Sequence, residues 1–289
     1  MPWHRGVVLK SARELEIMRR AGRINALALQ ACLNAIRPGA TTEEIDAEAV
    51  RVLEEHGAES AFKGYEGPYP YPAVTTISIN DELVHGIPSD RRLEEGDIVS
   101  VDCGSVVDGF VGDSAFTVGV GEVSDTAERL MQATYEALFA GIAKMRPENR
   151  SGDVSAAIQQ VVEDAGFRVV REYTGHGVGR NMHEDPQVPN YGKPGTGLHL
   201  KPGLTVALEP MVLAGGAETR VLQDQWTVAS RDGELTAHFE HTVAVTEDGP
   251  WILTALDEDD LDEGLEVRYN QYFGGRRKSA FGTVQGGRS

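Results

Sequence analysis

Apolar residues first recur at helical spacing. Leu15, Met18, Ile24, Leu27 and Ile36 follow Ser11-Ala12-Arg13-Glu14, where a hydroxyl residue stands three places before a glutamate. In that capping-box arrangement the two side chains each satisfy a backbone N–H of the first turn, so a helix is predicted from Ser11 to the stop at Pro38-Gly39. Thr41-Thr42-Glu43-Glu44 predicts a second helix, which Gly57 ends. The arrangement then returns: one helix from about Ser124 to Arg146-Pro147, another from about Ser151 to near Gly166. Arg37-Pro38 and Arg146-Pro147 stand 109 positions apart, as do Gly57 and Gly166, and the double coincidence predicts an internal duplication.

After each helix pair the period shortens to two. Asp97 to Asp113 reads as two strands about Asp108-Gly109, a strong two-residue hairpin signal because the favoured turn needs positive φ at both central positions. That turn would set Val107 opposite Phe110 and Gly104 opposite Asp113, and would leave Asp102 on Asp113's face one diagonal step away. Such neighbours lie roughly 7–8 Å apart, within reach of a shared metal cluster. Leu204, Val206 and Leu208 alternate with Thr205, Ala207 and Glu209, and Phe239, Val243 and Val245 surround Glu240. Asp102, Asp113, Glu209 and Glu240 therefore interrupt strand-like runs, and His176 stands in the Gly-rich run Gly175 to Glu184. Uncompensated buried charge is too costly to keep, so four carboxylates and one imidazole suit a pair of divalent cations. Two solvated acids on a hairpin's wet face remain the alternative for Asp102 and Asp113 considered alone.

The duplication organises the rest. Two halves, about 11–120 and 121–253, are expected to make a single domain over 1–253, each giving two acids to a site between them, a common place for a cleft. Residues 254–289 form a tail, acidic from Asp257 to Glu266 and then basic at Arg276-Arg277-Lys278, whose composition predicts mobility. The net charge of −18 over 289 residues argues against a general nucleic-acid or anionic-membrane binder, leaving no DNA and no membrane among the expected partners. Cys32 and Cys103 offer no disulfide framework. No early apolar run resembles a signal peptide and no stretch is long enough to span a bilayer, so a cytoplasmic protein is expected.

The motifs taken together resemble the methionine aminopeptidases, in their short bacterial type I form. The resemblance runs from about Ser11 to Leu253 and rests on Ile77-Ser78-Ile79-Asn80 leading to His85-Gly86-Ile87-Pro88, Val101-Asp102 to Gly112-Asp113, Gly175 to Glu184, Leu208-Glu209-Pro210 and Phe239-Glu240-His241-Thr242. It implies the α/β pita-bread fold: two pseudo-symmetric halves, a curved antiparallel sheet carrying the metals, and helices outside it. It implies that Asp102 binds the more exposed ion, that Asp113 and Glu240 bridge, and that His176 and Glu209 complete the other site. His85 and His183 would contact the scissile amide, Tyr65, Met182 and Trp226 would line a methionine pocket, and Glu209 would shuttle the proton. The expected activity is removal of the initiator methionine before a small second residue, by a monomer acting on nascent peptide N-termini, with the ribosome as a partner. The oxygen-rich ligand set is compatible with Mn, Fe, Co or Zn.

Several positions depart from the family pattern. Phe62 and Thr76 stand where relatives carry cysteines, Glu66 where many have histidine, and His238 where glutamine is common. His238 falls two residues before Glu240, on the same strand face, and is expected to replace a hydrogen bond rather than to bind metal. Two other readings stay open: an Xaa-Pro aminopeptidase on the same fold, whose members usually carry an extra N-terminal domain, and a non-catalytic peptide-binding adaptor.

Overall fold

The computed structural model describes residues 4–256. The acidic run, Arg276-Arg277-Lys278 and the Gly-rich end lie outside the described residues.

Strand β1 (His4–Val7) precedes helix α1 (Ala12–Ala35), which Ser11 caps with the expected box to Glu14. Helix α2 (Thr42–Glu55) opens with the same box between Thr41 and Glu44. Then come β2 (Glu59–Ser60), β3 (Thr75–Ile79), β4 (Glu82–Val84), β5 (Ile98–Val107) and β6 (Phe110–Gly119). The second helix pair is α3 (Asp125–Ile142), capped by Ser124, and α4 (Ser151–Asp164). Strands β7 (Arg168–Val169), β8 (Thr174–Gly177), β9 (Glu184–Pro189), β10 (Thr205–Leu208) and β11 (Met211–Leu213) follow. The last are β12 (Thr219–Val221), β13 (Val228–Ser230), β14 (Thr236–His238), β15 (Glu240–Thr246) and β16 (Gly249–Ile252). Helix α3 ends four residues before Arg146, and a turn through Met145 takes up the difference. The residues matched by the 109-position repeat close corresponding helices: Gly57 and Gly166 both take positive φ just beyond α2 and α4.

The large curved sheet runs β1-β9-β8-β10-β15-β6-β5-β2, with β3 also on β5 and β16 on β15. Its pairings are antiparallel except at the edge, where β1 joins β9 in parallel. The two parts of the chain meet where β15 pairs with β6. Helices α1 and α2 pack together, with α1 against β5 and β6, while α3 and α4 pack together and α3 covers β14 and β11. One core joins them, including Leu29, Ile45, Ile98, Leu130, Ile158, Val206 and Phe239, all buried. Each such side chain stabilises the fold by roughly 1.5–3 kcal/mol through burial. The packed chain continues through Leu256, and Arg19 donates to the carbonyls of Leu253 and Ala255.

Candidate metal centre

The turn at Asp108-Gly109 has φ of 50° and 74°, the two positive values of the tight hairpin turn. Gly104 therefore pairs with Asp113 and Asp102 with Ala115, leaving the two acids diagonal on one face. Strand β15 continues both rows across the sheet, because directly paired residues share a face. One row holds Thr76, Asp102, Ala115 and Glu240. The next aligns Thr242 with Ala207 and Ala207 with His176, and Thr242 exchanges hydrogen bonds with Asp113. Small residues, Gly104, Ala115 and Ala207, lie between the ligand-type side chains, so space is left above the sheet for them to converge. Glu209 sits one residue past β10, where Pro210, lacking an N–H, ends the ladder.

All ten residues predicted for the site come together. Asp102, Asp113, His176, Glu209 and Glu240 line one cavity with His85, His183, Tyr65, Met182 and Trp226. His176 Nε2 lies 3.3 Å from Glu209 Oε1 and 3.9 Å from Asp113 Oδ2. Its Nδ1 lies 3.0 Å from the Gly177 carbonyl, which fixes the proton there and turns the Nε2 lone pair into the cluster. Donor atoms of Asp113, His176 and Glu240 lie within 4.8 Å of one another, and so do those of Glu209, His238 and Glu240. Asp102 belongs to neither trio but opens into the same cavity.

Burial dominates the electrostatics. It pushes Asp113 up to about 7. It also raises Asp102, Glu209 and Glu240 well above the carboxylate range, with the charge of Asp113 adding to each. The same desolvation holds His85 and His176 down to about 4 and His183 and His238 to about 3, so all four imidazoles are neutral near pH 7. Asp102 Oδ1, Asp113 Oδ1, Glu240 Oε1 and His238 Nε2 are buried with no hydrogen-bond partner in the protein. Buried acceptors left unpaired are costly, and divalent cations supply the missing partner. The donor set thus fits two clusters around a dinuclear divalent centre.

The rest of the site depends on close backbone approaches. His85 has φ of 63°, and the Gly86 behind it packs so tightly that a Cβ would stand 2.2 Å from the Ile77 carbonyl oxygen. The Gly86 N–H donates to Ser78 Oγ and its carbonyl accepts from the Ile77 N–H and the Tyr71 hydroxyl. Tyr71, which sequence reasoning missed, also lines the cavity, 5.2 Å centroid to centroid from Trp226. Its only signal was its place as one of two tyrosines alternating with the prolines of residues 68–72. Phe62 and Thr76 line the cavity as expected of pocket residues, and Glu66 lines an adjoining cleft with Tyr65, Met182 and His183. Lys10, also missed, forms a buried 2.6 Å ion pair with Glu184, whose other oxygen accepts from the Asn181 N–H and braces the loop carrying Met182 and His183. Asn190 donates to the Glu209 carbonyl. His238 does not share a strand with Glu240: the ladder breaks at Phe239, and His238 pairs with Met211 in the small β14-β11-β7 sheet.

Residues 16–247 match metallopeptidase family M24. Methionine aminopeptidase 1 of Bacillus subtilis is 48% identical over 250 residues, covering 86% of this chain and all of that protein. The crystal structure of a methionine aminopeptidase from Thermotoga maritima superposes with a TM-score of 0.84 at 45% identity, over 86% of this chain and 99% of that one. Prolidase from Pyrococcus furiosus shares the fold at 24% identity and a TM-score of 0.69, but this chain spans only 65% of it. The family description, the near-complete overlap with type I relatives and the acid–histidine face of the sheet agree, and the chain belongs to metallopeptidase family M24, in its type I methionine aminopeptidase branch.

Proposed function

We propose that this chain removes the N-terminal methionine from peptides and nascent proteins whose second residue is small, using two divalent ions held by Asp102, Asp113, His176, Glu209 and Glu240. The observation that carries the reading is one cavity of about 130 Å³ with the acid–histidine cluster in one wall and Phe62, Tyr65, Tyr71, Met182 and Trp226 in the others. That volume is below the roughly 300–1,000 Å³ of sites for larger ligands, and suits a single unbranched side chain. Aromatic walls also favour a thioether over a plain alkyl chain of equal length.

When bound, the ions supply Lewis acidity that polarises the scissile carbonyl and lowers the pKa of a water toward neutrality. Four carboxylates match the four positive charges of two divalent ions, so the cluster carries no large excess of either sign. Glu209, the most exposed of the four acids, accepts the proton of the attacking water on its carboxylate and returns it to the leaving amine. Neutral His183 and His85 donate hydrogen bonds to the amide oxygen and hold the peptide bond over the cluster. The Tyr65 hydroxyl lies 2.7 Å from His183 Nδ1, which places the ring's proton on Nε2.

The domain reading joins this proposal: one catalytic unit over about residues 1–253 built from two halves, supported by the repeated helix pairs and the β15–β6 seam. A cytoplasmic monomer working at the ribosome completes it. No described helix is long and apolar enough to cross a membrane, and the peptide substrate is a nascent chain's first residue.

The test is a peptide panel with defined metals added back to stripped protein. Met-Ala-Ser is expected to be cleaved and Xaa-Pro peptides not; the reverse would move the chain to the proline-specific branch. Fewer than one ion bound per chain, under oxygen-free metal supplementation, would favour an adaptor.

A further inference from the structure

We propose that His238 is a direct ligand of the metal centre, giving this chain a second imidazole beside His176. The proposal rests on the dinuclear reading above.

Three observations converge. First, His238 Nε2 lies 3.7 Å from Glu240 Oε2 and 3.9 Å from Glu209 Oε2. Those separations are too long for a hydrogen bond. They suit two donors on a common ion: ligands each about 2.1 Å from a metal stand about 3.4 Å apart at the tetrahedral angle and about 4.2 Å apart when trans. Second, Nε2 is buried and has no hydrogen-bond partner, so an imidazole that merely replaced a glutamine's hydrogen bond has left that bond unmade. Third, the main chain fixes the residue. The His238 N–H donates to Thr117 Oγ1 at 2.8 Å, and the same hydroxyl donates to the His238 carbonyl at 2.7 Å. Thr242 holds Asp113 in the same way, accepting from its N–H at 3.0 Å and donating to its carbonyl at 2.8 Å. Both pairs are in register with Glu240↔Ala115, so the device that seats Asp113 on β6 also seats His238, at the end of β14, against β6.

Glu209 then lies between the two imidazoles, its Oε1 toward His176 and its Oε2 toward His238. His238 is not among the residues lining the cavity, so it approaches from the protein side and leaves the substrate face clear. An added nitrogen donor strengthens the site for Zn, Co or Fe, which favour imidazole, more than for Mn or Mg, which favour oxygen.

The test uses the full chain loaded with Zn(II) or Co(II). X-ray absorption on the unmodified protein is expected to give two imidazoles shared by two ions, and in His238→Gln one. Two His-type N–H resonances shifted by Co(II), with one lost in His238→Gln, would report the same without relying on the variant's activity. Direct titrations should show His238→Gln weakening Zn(II) binding about tenfold or more while changing Mn(II) binding far less. Two bound ions with only one imidazole in the unmodified protein would overturn the proposal and leave the hydrolase reading intact. Absence of ion binding would end both.

Discussion

The Tyr65 hydroxyl and His183 Nδ1 meet at 2.7 Å, with the rings edge to face at 5.6 Å. Burial raises the phenol's pKa and lowers that of the imidazole, so neither partner ionises near pH 7 and the hydroxyl donates to a neutral ring. Tyr65→Phe removes that bond but keeps the wall. The expected result is a fall in kcat of about tenfold with little change in KM, because the ring loses its tautomer rather than its place. An unchanged kcat would show that His183 needs no such fixing.

Metal removal should make stability fall with rising pH. Above about pH 7.5 the histidines have lost nearly all their protons in the unfolded chain as well as in the folded one, so the carboxylate cluster dominates the difference in bound protons between the two states. Asp113, raised to about 7, holds a proton in the folded protein that it has already lost when unfolded. The folded state thus binds more protons, and the stability this confers is lost as pH rises through about 7. Thermal melts of chelated protein should drop from about pH 7.5 upward, where Asp102, Glu209 and Glu240, raised well above the carboxylate range, still hold protons, and Mn(II) or Zn(II) should abolish the slope. A flat profile without metal would contradict the burial of uncompensated charge.

Glu209→Gln keeps the shape and removes the base. Turnover should fall by about 10²–10⁴, the range for loss of a positioned proton carrier. The melting temperature of the chelated variant should rise near pH 7, since an amide avoids the cost of burying or protonating a carboxylate there. Single-turnover assays and calorimetry measure the two effects separately.

Lys10→Met leaves Glu184 buried without its cation. Both side chains are under 5% exposed, so the loss should cost about 3–5 kcal/mol in urea melts. Lys10→Met with Glu184→Gln should regain most of it. KM should rise in the single variant, because Glu184 braces the loop that carries Met182 and His183.

The hairpin was legible because Asp108-Gly109 sets a register, and a register places every side chain on a face. The rows holding Asp102, Asp113 and Glu240 follow from it once β15 is laid on β6. Helix starts were legible for the same local reason: Ser11 and Thr41 are each a cap, completed by the glutamate three residues ahead. Tyr71, Lys10 and Asn190 were not, since their work depends on partners far along the chain, as Lys10 and Glu184 show. His238 was placed on Glu240's strand face because a period of two assumes an unbroken strand. The break at Phe239, whose N–H turns to the Pro210 carbonyl, is a tertiary event.

Strand β6 is stitched to the second part of the chain on either side of Glu240, to β15 by Thr242 at Asp113 and to β14 by Thr117 at His238. Hydrogen bonds sewn through the reaction centre resist a clamshell opening of one part of the chain from the other across it.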